Sequence, residues 1–259
     1  MAPRDRWAPM RELPVLETIR TALRVLTARP GHFASLIVVP ALISVFLALR
    51  EREADDIWNL MLAVLGLLPL VLFAVWCHRS ILLDASRVHA FGSLAWGERE
   101  NRFIVWILCI QWILVPAAAV GLLGPIWLVA RLLGVAIPWQ GESPVWLGAA
   151  GAVFILPVSY VLARSLFVLP ATAVDLRPSL SSAWRLSHGN GWRLAMLVVV
   201  LPSSLYVIAG AAVDASTSSH GAQVIGGVIS NYVIGLFEVA LLSVSFRSLA
   251  SDELFSHVN

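Results

Sequence analysis

The chain contains no lysine: all 18 of its basic residues are arginines. The planar guanidinium fork suits phosphate and lipid headgroups, but a GC-rich genome also favours arginine codons, so this absence alone locates no site. Charge is scarce, at 13% of residues against about 25% in a soluble domain, and 59% are hydrophobic against about 45–50%. A net charge of +2 is too small to grip a phosphate backbone, so no nucleic-acid partner is expected. Cysteine is limited to Cys77 and Cys109, both in apolar runs, which marks them as packed thiols rather than a disulfide or metal pair. His188 has no Cys or His at metal-ligand spacing, so no metal site is expected. There is no H-E-x-x-H, no G-x-S-x-G, no Walker motif and no acidic pair suited to metal-assisted phosphate chemistry. These absences make an enzyme the least supported class, with no cofactor, and leave a membrane-embedded enzyme acting on lipids as the weakest alternative.

What the chain does have is long uncharged runs, and its mean hydropathy is +0.82. A hydrocarbon core of about 30 Å asks for about 20 apolar residues per helix. Backbone groups in lipid must be paired internally, which leaves helices or a closed barrel, and continuous rather than alternating apolar runs exclude the barrel. The expected fold is all-α and integral to the membrane, with spans at about 31–50, 57–78, 103–129, 145–168, 192–213 and 222–247. Residues 1–30 form an N-terminal segment and 31–259 the transmembrane domain. That N-terminal segment carries six arginines plus Asp5, Glu12 and Glu17 before the first apolar run, so no cleavable signal peptide is expected. Fifteen arginines fall in the termini and the second–third and fourth–fifth connections, and only Arg50, Arg52 and Arg131 on the other side. By the positive-inside rule both termini are cytoplasmic.

An internal similarity organises the basic segments. "TALRVLTARPGHFASLIVV" (21–39) aligns without gaps on "SAWRLSHGNGWRLAMLVVV" (182–200), and "SLAWGERENRFIVWIL" (93–108) is a weaker third copy. Each copy precedes an odd-numbered span. The implied unit is a cytoplasmic interfacial amphipathic helix, a tight turn at "ARPG" or "HGNG", and a two-span hairpin, three units in all. In the first copy Leu16, Ile19, Leu23 and Leu26 recur at helical steps, with Arg20 and Arg24 on another face. Arg20, Arg24, Arg102, Arg185 and Arg193, with Trp184 and Trp192, are expected to form elbows facing anionic lipid headgroups, the expected partners of the chain. Another membrane protein is the alternative partner.

Two features lie deeper. Pro40, Pro69, Pro116, Pro157 and Pro202 fall near the middles of spans one to five, where each removes one helical hydrogen bond. They mark either a kinked, packed bundle or a cavity layer. Glu238 is the one carboxylate expected inside the membrane, with Asn231 seven residues away on the same face. Its expected partner is Arg164 in span four, with Tyr160 one turn above, forming an internal clasp. A coupling acid in a transporter or lipid-handling protein is the alternative role.

The pattern Tyr160, Arg164, Phe167, Pro170, Ala171, then Ser182, Ala183, Trp184, Asn190, Trp192 and Arg193 resembles a group of uncharacterised bacterial six-span proteins. These are similar to the membrane domain fused to some glycerophosphodiester phosphodiesterases. The resemblance covers residues 160–194 well, residues 79–108 loosely, and the rest as topology. It implies a multi-pass protein of the bacterial inner membrane connected with lipid or envelope homeostasis, without the phosphodiesterase domain. The leading expectation is a non-catalytic accessory or scaffold protein, with transport or lipid handling as the alternative.

Overall fold

The computed structural model describes residues 12–51, 56–83, 96–117, 120, 131–132 and 156–250, and among these every regular element is helical. Six helical stretches are long and apolar enough to cross a membrane: Pro30–Arg50, Val64–Leu82, Glu98–Ala117, Leu156–Ala173, Gly191–Ser216 and His220–Leu249. The protein is therefore a multi-pass membrane protein. The elements are α1 (Val15–Ala28), α2 (Pro30–Glu51), α3 (Asp56–Leu82) and α4 (Glu98–Leu108). They continue with α5 (156–165), then α6 (Val168–Ala173), α7 (Leu180–Leu186), α8 (Gly191–Ala195), α9 (Leu201–Ser216) and α10 (His220–Leu249).

The third span starts at Glu98, five residues before the expected position. "ERENR" has the composition of a loop, yet the Glu100 side chain accepts from the Gly97 backbone N–H at 3.0 Å and caps the helix start. Carboxylates in a first turn also meet the positive end of the helix dipole. Residues 118–119 and 121–129 of the expected third span and 145–155 of the expected fourth lie outside the described residues.

α10 is the axis of the bundle and packs against α1, α2, α3 and α9, while α4 packs on α3 and α6. Its last third is buried, including Leu241, Leu242, Ser243 and Phe246, whereas Ile225, Ile229 and Val233 near its start are exposed. The core sits at this end with Val75, Cys77, Phe103, Phe167 and Leu197. At the opposite end Leu42, Phe46, Trp58, Val207 and Ile208 face outward, which is stable where the solvent is hydrocarbon.

All five of the expected prolines lie inside helical backbone, and the two at Pro116 and Pro202 each follow a π-helical turn, Cys109–Leu114 and Met196–Val200. Proline has no N–H and its ring crowds the carbonyl four residues back. Those carbonyls belong to Trp112 and Val198, both inside the widened turns. A π turn relieves the crowding by passing the hydrogen bond to the next residue along: the Leu201 N–H donates to the Met196 carbonyl.

Candidate functional site

The polar side chains gather at one end of the bundle. Here the chain runs through α1, the ends of α3 and α6, the starts of α4 and α8, α7, and the end of α10. Long-range contacts tie the end together: Asn190 Oδ1 accepts from the Leu13 backbone N–H at 2.8 Å, and Arg193 pairs with Glu12 at 2.9 Å. Leu13 and Asn190 are both buried.

Arg164 is the centre of the first cluster and is only 7% exposed. Its Nε donates to Ser187 Oγ at 3.0 Å, one terminal nitrogen donates to the Tyr160 hydroxyl at 3.0 Å, and the other donates to the Trp184 carbonyl. That carbonyl lies in the last turn of α7, where no further helical N–H is available. Arg164 therefore caps the negative end of α7. Its guanidinium also lies 4.2 Å from the centre of the Trp184 ring, and Tyr160 packs on Trp192 at 4.9 Å. The close fit needs Gly191, since a methyl group there would lie 2.2 Å from the Tyr160 ring. Gly189, two residues before, turns the chain with φ 77°.

Glu238 is not the partner of Arg164. Among the ion pairs of the described residues none joins them, and Arg164 reaches towards α7. The Arg164 donors are instead taken up locally, by Ser187, the Tyr160 hydroxyl and the carbonyl in the last turn of α7. Glu238 is half-buried and makes no hydrogen bond or ion pair among the described residues. It lies within electrostatic reach of Tyr206 on α9. The Tyr206 hydroxyl sits beside Gly235, 3.5 Å from where a methyl would project, and donates a long 3.5 Å bond to the Asn231 carbonyl. The Asn231 side chain is exposed and lines a 350 Å³ cleft with Tyr206, Gly210 and Gly227. The intramembrane polar cluster thus divides into Arg164 with Tyr160, and Glu238 near Tyr206 and Asn231.

A second cluster was not anticipated from the sequence. Asp175 terminates α6 in the left-handed conformation, φ 65°, and the Leu176 N–H reaches back to the Ala171 carbonyl at 3.0 Å. That is a glycine's usual place. Its carboxylate takes Arg79 at 2.9 Å, Arg99 at 3.2 Å and Arg102 at 3.9 Å. Arg99 also pairs at 2.8 Å with Glu100, which is 2% exposed. The available signal was Asp175 as the single acid in a connection otherwise charged only by arginine. Deeper, His78 Nδ1 and Ser243 Oγ meet at 2.7 Å, both buried.

The expected elbow residues divide in the same way. Arg102, Arg193 and Trp184 are partly exposed and each is engaged by a group of the protein itself, an acid, an amide or a guanidinium. Arg20, Arg24 and Arg185 are exposed and have no ion pair or hydrogen bond among the described residues, and Trp192 is half exposed. Arg29, Arg177 and Arg247 share that state. Among the described residues no group of three or more His, Cys, Asp or Glu is placed to hold a metal. Comparison with protein-family models, curated proteins and solved structures finds no match to this chain.

Proposed function

We propose that the protein is a non-catalytic, accessory or scaffold protein of the bacterial inner membrane, seated with its arginine-rich end on the anionic cytoplasmic leaflet. The observation that carries this reading is the sorting of arginines. Those pointing inward are matched by acids, carbonyls and rings, while Arg20, Arg24, Arg29, Arg177, Arg185 and Arg247 are exposed and unmatched among the described residues at the same end. Juxtamembrane arginines near an anionic leaflet contribute about 1 kcal/mol each. α1 supports the reading by its three faces. Thr18 and Ala22 are buried against the bundle, Leu16 and Leu23 are exposed, and Arg20 and Arg24 lie beside them. An exposed apolar stripe next to a basic one is the pattern of a helix in the headgroup plane. The first two repeat copies share a helix–break–helix course, broken at Arg29 and at 187–190, which is consistent with three duplicated hairpin units. Both termini are then cytoplasmic.

The test is thermal stability of the detergent-purified protein titrated with phosphatidylglycerol or phosphatidylcholine. The anionic lipid should raise Tm more, and Arg20→Gln with Arg24→Gln should shrink the difference. Equal stabilisation by both lipids rejects the reading. Glu238 favours a second reading, transport or lipid handling with a coupling acid, because a carboxylate inside a span without a hydrogen-bond partner is costly to keep. If wild type retains a small molecule in native mass spectrometry and Glu238→Gln loses it, that second reading leads.

A further inference from the structure

We propose that a cavity at the arginine-rich end is a specific site for one anionic glycerophospholipid. Its phosphate would lie between Arg177 and Arg185, and an acyl chain against Phe167 and Phe246. The inference rests on the reading that this end meets an anionic leaflet, and it narrows that reading to one place.

The cavity lies between α6, the loop after Asp175, α7 and the end of α10. Its volume is about 510 Å³, within the roughly 300–1,000 Å³ of small-molecule sites. Phe167, Leu176, Leu186 and Phe246 supply apolar walls, and the only charged residues lining it are Arg177 and Arg185. Both are exposed, and neither has an ion pair or hydrogen bond among the described residues. This contrasts with Arg79, Arg99 and Arg102, which converge on Asp175, two residues before Arg177. The neighbouring arginines are thus neutralised from within, and these two are left to bind an anion from outside.

Two other cavities show what distinguishes this one. The 440 Å³ cavity beside α1 is lined by both Glu17 and Arg247, so its charge is balanced. The 350 Å³ cleft at Tyr206 has no charged lining residue. Of these three cavities among the described residues, the α6–α7 cavity alone joins uncompensated positive charge to apolar walls, which is the recognition pattern of an anionic amphiphile. Arginine forks hold phosphate oxygens through paired N–H bonds. An apolar wall gains only from a ligand that also carries hydrocarbon, which excludes free phosphate as the natural occupant.

The test is native mass spectrometry of delipidated protein titrated with phosphatidylglycerol, phosphatidylcholine or inorganic phosphate. Three forms are compared: wild type, Arg177→Gln with Arg185→Gln, and Arg20→Gln with Arg24→Gln. The expected result is one tightly held phosphatidylglycerol on wild type, not displaced by phosphate. Affinity should fall about 30-fold in the Arg177/Arg185 variant and stay unchanged in the Arg20/Arg24 variant. Displacement by phosphate alone would make this an anion site and overturn the lipid assignment. Equal losses in the two variants would overturn the location while leaving the leaflet-seating reading intact. Equal binding of both lipids by wild type would overturn both.

Discussion

Arg164 shows how a buried charge is made tolerable without an acid. Its three donor positions meet a hydroxyl, a phenol and a helix-terminal carbonyl, and its flat face meets an indole. A lysine has one point charge on a flexible stem and cannot make that set at once. Arg164→Lys is expected to lower stability by about 2 kcal/mol, from lost charge-assisted hydrogen bonds. Denaturation in detergent followed by Trp184 and Trp192 fluorescence would measure it. Combining it with Glu238→Gln should give additive losses within about 0.5 kcal/mol, because the two residues share no partner. A coupling well above that would restore the clasp. The sequence pointed to Arg164 and Tyr160 as neighbours because i,i+4 spacing on a helix places them so. It could not tell Arg164's other two partners, since Trp184 and Ser187 lie in α7 and at its end, about 20 residues further along the chain. Asp175 was hidden for a related reason: its three arginines come from two other helices, and spacing along one element carries no such information.

At the scale of elements, the proline spacing was legible and its consequence was not. Sequence marks where a helix loses an N–H, but a kink, a π turn and a tolerated straight helix all answer that loss. The structure answers it at Pro116 and Pro202 by widening the preceding turn, and at Pro40 and Pro69 by running through within α2 and α3. If proline causes the widening, Pro202→Ala restores an N–H for the Val198 carbonyl and lets the turn close to regular helix. Amide exchange across 197–203 should then slow in hydrogen–deuterium exchange, with stability changed by no more than about 1 kcal/mol. Unchanged exchange would mean that packing against α10, and not the proline, sets the π turn. The start of α4 carries the same lesson in reverse. A charged segment that composition reads as loop becomes helix, because Glu100 caps it and is itself held by Arg99.

For the whole molecule, topology was the most legible property, because it follows from two bulk quantities. Apolar length sets the number of crossings, and six helices long and apolar enough to span are present; the arginine count on alternate connections supports the proposed direction. The structure adds an independent geometric constraint. Glu12 meets Arg193, Leu13 meets Asn190, Arg79 meets Asp175, and α1 lies along α10. These contacts force residues 12–13, the end of α3, the connection between α6 and α8 and the end of α10 onto one face, whatever membrane the chain occupies. The turn between α9 and α10, at Thr217–Ser219, is a full helix length away. Single cysteines at Glu12→Cys, Ser179→Cys and Ser218→Cys, all at exposed positions, make this measurable. In sealed inverted vesicles an impermeant maleimide should label the first two and spare the third, and intact spheroplasts should give the opposite pattern. The buried Cys77 contributes no background to these experiments, and Cys109, which is partly buried, is replaced by serine beforehand. Labelling of positions 12 and 179 from opposite sides would contradict the Leu13–Asn190 contact itself. Labelling of both from the outer side would keep the fold and invert its orientation, placing the unmatched arginines away from the anionic leaflet and removing the basis of the proposed lipid site.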